Sequence, residues 1–418
     1  MRILHIVHRS WPYHGGSERY VLEHALASGR WGHTSTIFTT DAWDMSWLVS
    51  GKGRHMDPGS TRHDGVEIRR FRVLHPPAQS LLRALLRRTL AGGPDRFYYP
   101  NPFVPSMAGA LRRLSGRFDV VHANAMPFAL FHGHRYAVRN GSVLVSVPHL
   151  NDGEKLRRIQ PLHYFAGRQP RILRESSLVV AQSCTERERY IEHGVDPERI
   201  LVLGSGIDPG DFEGAEPRRA RVRFGIEGSS VVLSLTAHSL DRGSLDLLEA
   251  SRALWERGMD FTLVLAGPVM DDFRRELDSR AASLVRESAR LIVTGYVREE
   301  DRADLLASAD LVVQVSRQDA FGIVLLDAWA SGRPVIAGWC GGMPDIVQDG
   351  KNGFLVPFGD RTTLAHRMGL LLGDRVMASG LGETGRRMVL ADRTWKHVTD
   401  RFYSRLAEVG QGDTGGGR

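Results

Sequence analysis

Two aspartates eight residues apart, Asp319 and Asp327, enclose a Phe-Gly pair and an apolar run in the stretch SRQDAFGIVLLDAWASGRP, residues 316–334. The run LVVQVS, residues 311–316, comes just before them and has the composition of a buried strand. Asp319 is therefore expected in the loop after a strand, at the sheet edge where open α/β sheets bind ligands. A carboxylate can accept hydrogen bonds from both hydroxyls of a vicinal diol, so the two acids are suited to a sugar or another polyol.

Between the two aspartates, a helix is expected to begin near Gly322 and Ile323. The backbone N–H groups of Phe321, Gly322 and Ile323 would lie at its positive end, where a phosphate or a sugar hydroxyl can bind. A diphosphate next to diol-binding acids indicates a nucleotide sugar. The pattern also has a structural interpretation, in which Asp319 caps the helix and Asp327 is a solvated side chain. The spacing alone leaves both interpretations open.

A second candidate phosphate site follows the first predicted strand, in the stretch HRSWPYHGGSERYVLEHALAS. Gly15 and Gly16 would let backbone N–H groups approach an oxyanion, and a helix that begins near Ser17 adds a positive dipole. A tight turn between a strand and a helix also needs glycine, so a purely structural role stays open for this loop.

The elements that position these loops alternate between short β-branched runs and longer amphipathic stretches, which is typical of βαβ units on a parallel sheet. The strand candidates, six in each half, are residues 2–8, 34–40, 66–72, 120–124, 143–149 and 178–183, then 231–237, 262–267, 290–295, 311–316, 334–338 and 353–358. With 418 residues the chain is long for one hydrophobic core. Two domains of roughly 200 residues each are therefore expected.

The domain boundaries follow from composition. The stretch 205–228 is rich in Gly, Pro and charged residues and is interpreted as the connection. We expect an N-terminal domain over 1–205 and a second domain over 206–392. The segment 393–410 has helical periodicity and is expected to pack back on the N-terminal domain, before a disordered tail over 411–418.

Composition restricts the class of protein. Hydrophobic residues make up 42% and charged residues 25%, as in ordinary globular proteins. Cys184 and Cys340 are too few for a disulfide framework and lack metal-ligand spacing, and neither a signal peptide nor a membrane span is recognisable. These features predict a cytoplasmic protein. The net charge of +7 is dispersed and accompanies no nucleic-acid motif, so no nucleic-acid partner is expected.

One basic amphipathic stretch, SLLRALLRRTLA at 80–91, has two interpretations. It could contact the inner face of a membrane or a lipid acceptor through its arginines. Alternatively, its leucines pack on the sheet while the arginines face water.

The motifs together resemble the family 4 retaining glycosyltransferases of the GT-B fold. In that family a Glu, seven residues and a second Glu frame a Phe-Gly pair, as Asp319 and Asp327 do here. Similar segments occur in the family's order in both halves, namely GGSERYVLEHALA, FDVVHAN, ERILVLGSGIDPGDF, VTGYV and ASGRPVIAGWCGGMPDIVQDGKNGFLVP. The resemblance implies two Rossmann-like parallel-sheet domains facing a central cleft. The N-terminal domain would bind the acceptor and the second domain the nucleotide-sugar donor.

The resemblance also implies residue roles. Gly16, in the loop with Gly15, would contact the donor diphosphate through its backbone. Asp319 would hold hydroxyls of the transferred sugar, and Asp327 would bind the ribose diol. His149, in SVPHL, matches the family's histidine beside the donor sugar, although a satisfied histidine at a strand end is the structural alternative.

The sequence departs from the family in the stretch LTAHSLDRGSLDLLEA, where Gly-Arg, a spacer and Lys-Gly are usual. Arg242 takes the lysine position and can still pair with a diphosphate. Ala237 stands where the arginine is expected, and His238 is a possible substitute for that missing cation. Both motif glutamates are aspartates, each a methylene shorter. Either the donor sugar differs from the commonest ones, or activity is reduced or lost.

The implied reaction moves a sugar from a nucleoside diphosphate, with UDP slightly favoured over GDP, to an unidentified acceptor with retention of configuration. Family enzymes need no metal or other cofactor, and the leaving phosphate takes the acceptor's proton in a front-face mechanism. Arg242, the Gly15–Gly16 loop and the helix dipole after Asp319 would stabilise the leaving diphosphate. Two alternatives remain, a catalytically impaired nucleotide-sugar-binding protein and a GT-B nucleotide-sugar epimerase.

Overall fold

The computed structural model describes residues 1–13, 15–75, 102–114, 116–150, 165, 168–228, 230–280 and 290–412. The chain forms two compact units, Met1–Leu203 with Thr399–Arg418, and Gly204–Val398. The candidate basic helix at 80–91 lies outside the described residues, so its membrane contact stays a prediction, as does the cytoplasmic location. None of the described helices combines the length and apolar character that crossing a bilayer requires.

The first unit is built on one sheet. Its strands within the described residues are β1 (Arg2–Ile6), β2 (Thr34–Thr40), β3 (Gly59–His63), β4 (Val66–Phe71), β5 (Val120–Asn124), β6 (Val143–Val147), β7 (Leu178–Ala181) and β8 (Ile200–Val202). Their order is β3-β4-β2-β1-β5-β6-β7-β8, and every pair is parallel except β3 with β4. The central strand β5 is buried along its whole length, as expected for a parallel sheet covered on both faces.

The helices of this unit follow the strands. Those described are α1 (Gly16–Ala27), α2 (Met45–Ser50), α3 (Pro105–Arg113), α4 (Phe128–Asn140), α5 (Gln169–Glu175) and α6 (Cys184–Glu192).

The second unit has a parallel sheet in the order β11-β10-β9-β12-β13-β14 over the residues described. Its strands are β9 (Val231–Leu235), β10 (Thr262–Ala266), β11 (Leu291–Gly295), β12 (Leu311–Gln314), β13 (Val335–Gly338) and β14 (Phe354–Val356). The helices described are α7 (Pro217–Phe224), α8 (Ser244–Glu256), α9 (Asp271–Ser279), α10 (Glu299–Ser308), α11 (Ile323–Ala330), α12 (Met343–Ile346), α13 (Arg361–Gly373) and α14 (Arg375–Asp392).

All the strands predicted from the sequence are present, most of them ending one or two residues early. Strands β3 and β8 were missed. The stretch interpreted as a connection, 205–228, belongs to the second unit and contains α7. Arg219 on α7 pairs with Asp304 on α10 at 2.7 Å, so this stretch is part of a packed layer.

The last helix, α15 (Trp395–Gly412), begins in the second unit and ends in the first. It continues two residues into the segment that was expected to be disordered. Within the first unit, the Tyr403 hydroxyl donates to the His24 carbonyl at 2.5 Å, and Arg30 donates to the Thr399 hydroxyl at 2.9 Å. Phe402 beside Tyr403 is fully buried, so α15 completes part of the core of this unit.

Helix α14 lies so close to α11 that Gly385 leaves no room for a side chain. A Cβ atom at Gly385 would overlap the indole of the fully buried Trp329, whose Nε1 donates to the Asn352 carbonyl at 2.7 Å. Gly380, on the same helix, has open space where a Cβ would stand.

We expect Gly385→Ala to destabilise the second unit by about 1–3 kcal/mol, because Trp329 must move. Gly380→Ala is the matched control and should stabilise by about 0.5–1 kcal/mol, because alanine favours the helix and meets nothing. Urea denaturation followed by tryptophan fluorescence measures both. Equal shifts for the two variants would show that the helices are not this close.

Candidate active site

The Asp319 carboxylate is fully engaged by protein groups at the carboxyl edge of the second sheet. Its Oδ1 accepts hydrogen bonds from the backbone N–H groups of Phe321 (3.2 Å) and Gly322 (2.9 Å). Its Oδ2 accepts from Arg242 Nη1 at 2.6 Å and Gln314 Nε2 at 2.8 Å. Asp319 therefore closes the turn that leads into α11, whereas the cap position of the helix itself is Gly322 and receives no side-chain hydrogen bond. The structure also brings Asp319 together with Arg242.

The predicted amide donors occupy the start of α11. Gly322 precedes the helix with φ of +87°, a left-handed conformation that favours glycine, and Ile323 is the first helical residue. The Phe321 side chain is buried, so only its backbone is placed to meet a ligand. Because the Phe321 and Gly322 amides already donate to Asp319, a phosphate would have to compete for them.

Arg242 comes from the loop between β9 and α8, next to the loop that carries Asp319. Gly243 has φ of +70°, and a Cβ there would overlap the carbonyl oxygen of Val315. Only glycine allows the two loops to approach so closely. The Arg242 side chain is 33% exposed, which leaves part of its guanidinium accessible to an anion.

His238 is the predicted substitute for the cation that is missing at Ala237. Its ring is buried, its Nδ1 lies 3.1 Å from the Ser244 hydroxyl, and its backbone bonds to Pro268 and Met270. Burial lowers the pKa of His238 to about 4, so the ring is neutral at pH 7. A buried, neutral ring does not favour His238 as a substitute cation, and that role stays a prediction.

Asp327 is fully buried, so its interpretation as a solvated side chain is wrong. It forms an ion pair with Arg302 on α10, and Arg302 also bonds to Glu299 at 2.6 Å. Burial by itself lowers the pKa of Arg302, but the two carboxylates outweigh it and raise that pKa. Arg302 had no local signal in the sequence. The role of Asp327 toward a ribose diol stays a prediction and requires Arg302 to move.

The Gly15–Gly16 loop lies in the first unit, where α1 begins at Gly16. Gly15 precedes the helix in an extended conformation without a side-chain cap. A Cβ at Gly15 would overlap the carboxylate of Glu18, which accepts from Arg9 Nε and the Ser17 hydroxyl, each at 2.9 Å. The Glu18 side chain would therefore have to shift to admit a Cβ at Gly15, and the Arg9–Glu18 pair lies beside the helix start.

His149 follows β6 in the first unit and has a φ of +51°, which is rare for residues with a side chain. Its ring meets Tyr20 edge to face at 5.3 Å. Its Nε2 is buried and finds no hydrogen-bond partner among the described residues. Burial lowers the pKa of His149 to about 4, with the charge of His8 adding to the effect, so the ring is neutral at pH 7.

Three further histidines lie buried near His149, and sequence reasoning missed them. His5 Nδ1 lies 3.0 Å from His122 Nδ1, and the ring of His24 is 5.5 Å from that of His122. Phe402 of α15 packs on His24 and His122 at ring distances of 4.8 and 4.9 Å. Burial lowers the pKa of His5 and of His24 to about 3 and that of His122 well below its usual value. Neither these rings nor any other set of three or more His, Cys, Asp or Glu side chains in the described chain is arranged to hold a metal ion.

Two family models match the chain. The model described as Glycosyltransferase Family 4 matches residues 14–211, and the model described as Glycosyl transferases group 1 matches residues 231–374. The chain belongs to the family 4 glycosyltransferases. The predicted family assignment and the predicted enzyme class are both confirmed.

Curated relatives and solved structures agree with the family. A D-inositol 3-phosphate glycosyltransferase of Stackebrandtia nassauensis is 26% identical over 410 residues, covering 88% of each chain. Another from Catenulispora acidiphila is 28% identical over 367 residues, covering 81% of this chain and 85% of the relative.

Two solved structures confirm the predicted GT-B fold. Anabaena HepE in complex with UDP and glucose has a TM-score of 0.73 at 18% identity, covering 97% of this chain and 99% of the other. Sucrose-phosphate synthase of Thermosynechococcus elongatus has a TM-score of 0.75 at 21% identity, covering 98% and 99%.

We expect Arg302→Met to destabilise this glycosyltransferase by about 3–5 kcal/mol, because it leaves the Asp327 carboxylate buried without its counter-charge. The double variant Arg302→Met with Asp327→Asn should recover part of that loss, because no unpaired charge remains. Denaturant titration of the two single variants and the double variant gives the coupling free energy. A coupling near zero would contradict the buried ion pair.

We expect the first unit to lose stability as the pH falls from 6.5 toward 4. The folded-state pKa values of the buried histidines lie below the unfolded value of 6.5, so their contribution is complete above pH 6.5 and is lost on acidification. Each such histidine costs on the order of 2 kcal/mol at pH 5. His122→Gln should therefore show a smaller fall in Tm between pH 7 and pH 5 than the wild type. His366→Gln, at an exposed position on α13, is the control and should keep the wild-type fall.

Proposed function

We propose that this glycosyltransferase moves a sugar from a nucleoside-diphosphate sugar to an acceptor hydroxyl, with retention of the anomeric configuration and without a metal ion. UDP is favoured over GDP as the nucleotide of the donor. The observation that carries the proposal is the Arg242–Asp319 pair at the start of α11. A guanidinium, a carboxylate and helix-start amides in one place match the phosphates and the hydroxyls of such a donor.

The comparisons support a UDP donor. HepE was solved with UDP and glucose and also with UDP-glucose, and an Escherichia coli trehalose-6-phosphate protein was solved with UDP-2-fluoro glucose. The curated relatives are named for D-inositol 3-phosphate, which makes this phosphorylated polyol the first acceptor to try.

In the proposed reaction Arg242 exchanges the Asp319 carboxylate for oxygens of the donor diphosphate. The freed Oδ2 of Asp319 then accepts hydrogen bonds from hydroxyls of the sugar. The bond between the anomeric carbon and the phosphate oxygen breaks, and its electron pair stays on the phosphate. The acceptor hydroxyl attacks the same face, and its proton passes to the departing phosphate oxygen. Arg242 and the helix-start amides stabilise the charge that develops there.

His149 is proposed to contact the donor sugar as a neutral ring. Its pKa of about 4 keeps it uncharged between pH 5 and 8, so it can orient a hydroxyl without carrying a positive charge beside the anomeric carbon. Gly15 and Gly16 are proposed to add backbone N–H groups toward the diphosphate, and Asp327 to bind the ribose diol once Arg302 has moved.

The experiment combines a thermal-shift panel with a transfer assay. UDP-glucose, GDP-mannose and dTDP-glucose are each added to wild type, Arg242→Ala and the control Arg275→Ala, which removes an exposed positive charge on α9. A donor at about 100 times its Kd should stabilise wild type and the control by roughly 2.7 kcal/mol. Arg242→Ala should lose this shift. An equal shift in Arg242→Ala would place the donor elsewhere.

The transfer assay separates the remaining functions. UDP release that depends on D-inositol 3-phosphate and persists in EDTA, with a retained anomeric centre in the product, supports the metal-independent transferase. Binding without turnover would support the impaired binding protein. Conversion of the donor into another nucleotide sugar without an acceptor would support the epimerase.

A further inference from the structure

We propose that Glu186 is a positioning residue for sugar transfer, because its carboxylate fixes the segment that presents His149. The inference rests on the role proposed above for His149. Glu186 lies on α6, 37 positions after His149 in the chain, and it belongs to none of the motifs considered in the sequence analysis.

The backbone on both sides of His149 is held by hydrogen bonds. Before it, the Val147 carbonyl accepts from Ala125 N at 2.8 Å and the Pro148 carbonyl accepts from Met126 N at 3.1 Å. After it, Leu150 N donates to Glu186 Oε1 at 2.8 Å. A residue with a side chain stays in the left-handed conformation only when its surroundings enforce it, so the bond at Leu150 helps to hold His149 there.

Glu186 is itself rigidly placed at the start of α6. Its backbone N–H donates to the Ser183 hydroxyl at 3.1 Å, the helix cap, and its Oε2 accepts from Gln182 N and from the Tyr190 hydroxyl, each at 2.8 Å. Oε2 therefore holds the start of α6 against the end of β7, and Oε1 binds the loop after β6. Because β6 and β7 are adjacent strands, Glu186 ties together two loops at the carboxyl edge of the sheet.

Burial of a carboxylate at position 186 costs free energy of folding, which argues against a role limited to capping α6. Glu186 is only 3% exposed, and burial raises its pKa to about 7 despite the hydrogen bonds that oppose the shift. Among the described residues, Tyr190 on its own helix donates a hydrogen bond to Glu186, and Tyr20 on α1 interacts with Glu186 electrostatically. Ser183 already caps α6, so a helix start by itself does not require a buried carboxylate.

The same Tyr20 meets the ring of His149. Leu150 is the next residue in the chain after His149, so displacement of Leu150 would shift the imidazole. A shift of about 1 Å in a group that orients substrate can cost on the order of 100-fold in rate.

The test compares Glu186→Ala, Glu186→Gln and the matched control Glu188→Gln, which changes an exposed acid on the same helix. We expect Glu186→Ala to lower kcat by about 10- to 100-fold with KM for UDP-glucose within about 2-fold, because His149 acts on the bound sugar. Glu186→Gln keeps an oxygen for Leu150 N, but its amide nitrogen cannot accept from Gln182 N, so kcat should fall less than in Glu186→Ala. Glu188→Gln should match wild type.

A double variant shows whether Glu186 acts through His149. Glu186→Ala added to His149→Ala should slow the enzyme no further than His149→Ala alone. Independent, multiplicative losses would overturn the inference and leave Glu186 a purely structural residue. Hydrogen–deuterium exchange of the Leu150 amide gives a readout besides activity, with faster exchange in Glu186→Ala than in Glu188→Gln. Unchanged exchange would also overturn the proposal.

Failure of the proposed function is recognised separately. If His149→Ala turns over UDP-glucose as fast as wild type, the proposed role of His149 fails and the inference with it. If His149→Ala is slow and Glu186→Ala is not, the proposed function stands and only the inference is overturned.

Discussion

The ion pair between Arg242 and Asp319 is the interaction on which the candidate site of the second unit depends. It joins the loops after the adjacent strands β9 and β12, and its carboxylate also accepts hydrogen bonds from the Phe321 and Gly322 amides just before α11. The departures from the resembled family fit together at this point. Aspartate is short enough to reach the amides of its own helix start, which glutamate is not suited to do, and arginine reaches further than the usual lysine. The longer side chain of Arg242 thus compensates for the shorter side chain of Asp319 across the distance between the two loops.

The two units treat buried ionisable groups differently. In the second unit the buried Asp327 carboxylate is paired with the Arg302 guanidinium, so its negative charge is balanced by a buried positive charge. In the first unit His5, His24, His122 and His149 are kept neutral by burial, and no counter-charge is required at pH 7. A neutral interior beside His149 is compatible with the role proposed for it, to orient sugar hydroxyls while positive charge develops on the sugar.

The sequence predicted the fold well because parallel strands buried on both faces are continuous β-branched runs, and such runs are visible without any partner. Strand β3 was missed because GSTRH is polar and exposed at the sheet edge, and β8 because three residues carry too little pattern. The loop that holds Asp319 was found from its place after a strand, whereas Arg242 and His149 were found from the resemblance to the family. The state of each side chain was not predictable, because the burial of Asp327 and the neutrality of His238 depend on distant residues. Arg302 and Glu186 were missed for the same reason, since each acts on a partner at least 25 positions away.

The path of α15 has a consequence for the order in which the protein can form. The first unit contains the chain's beginning, yet Phe402 and Tyr403 pack on His24 and His122 in its core. These residues are synthesised after the whole of the second unit, Gly204–Val398. The N-terminal unit therefore leaves the ribosome with an open apolar face, which stays uncovered until Phe402 and Tyr403 have been synthesised. The second unit has all of its sequence available earlier, so it is able to fold before the core of the first unit is complete.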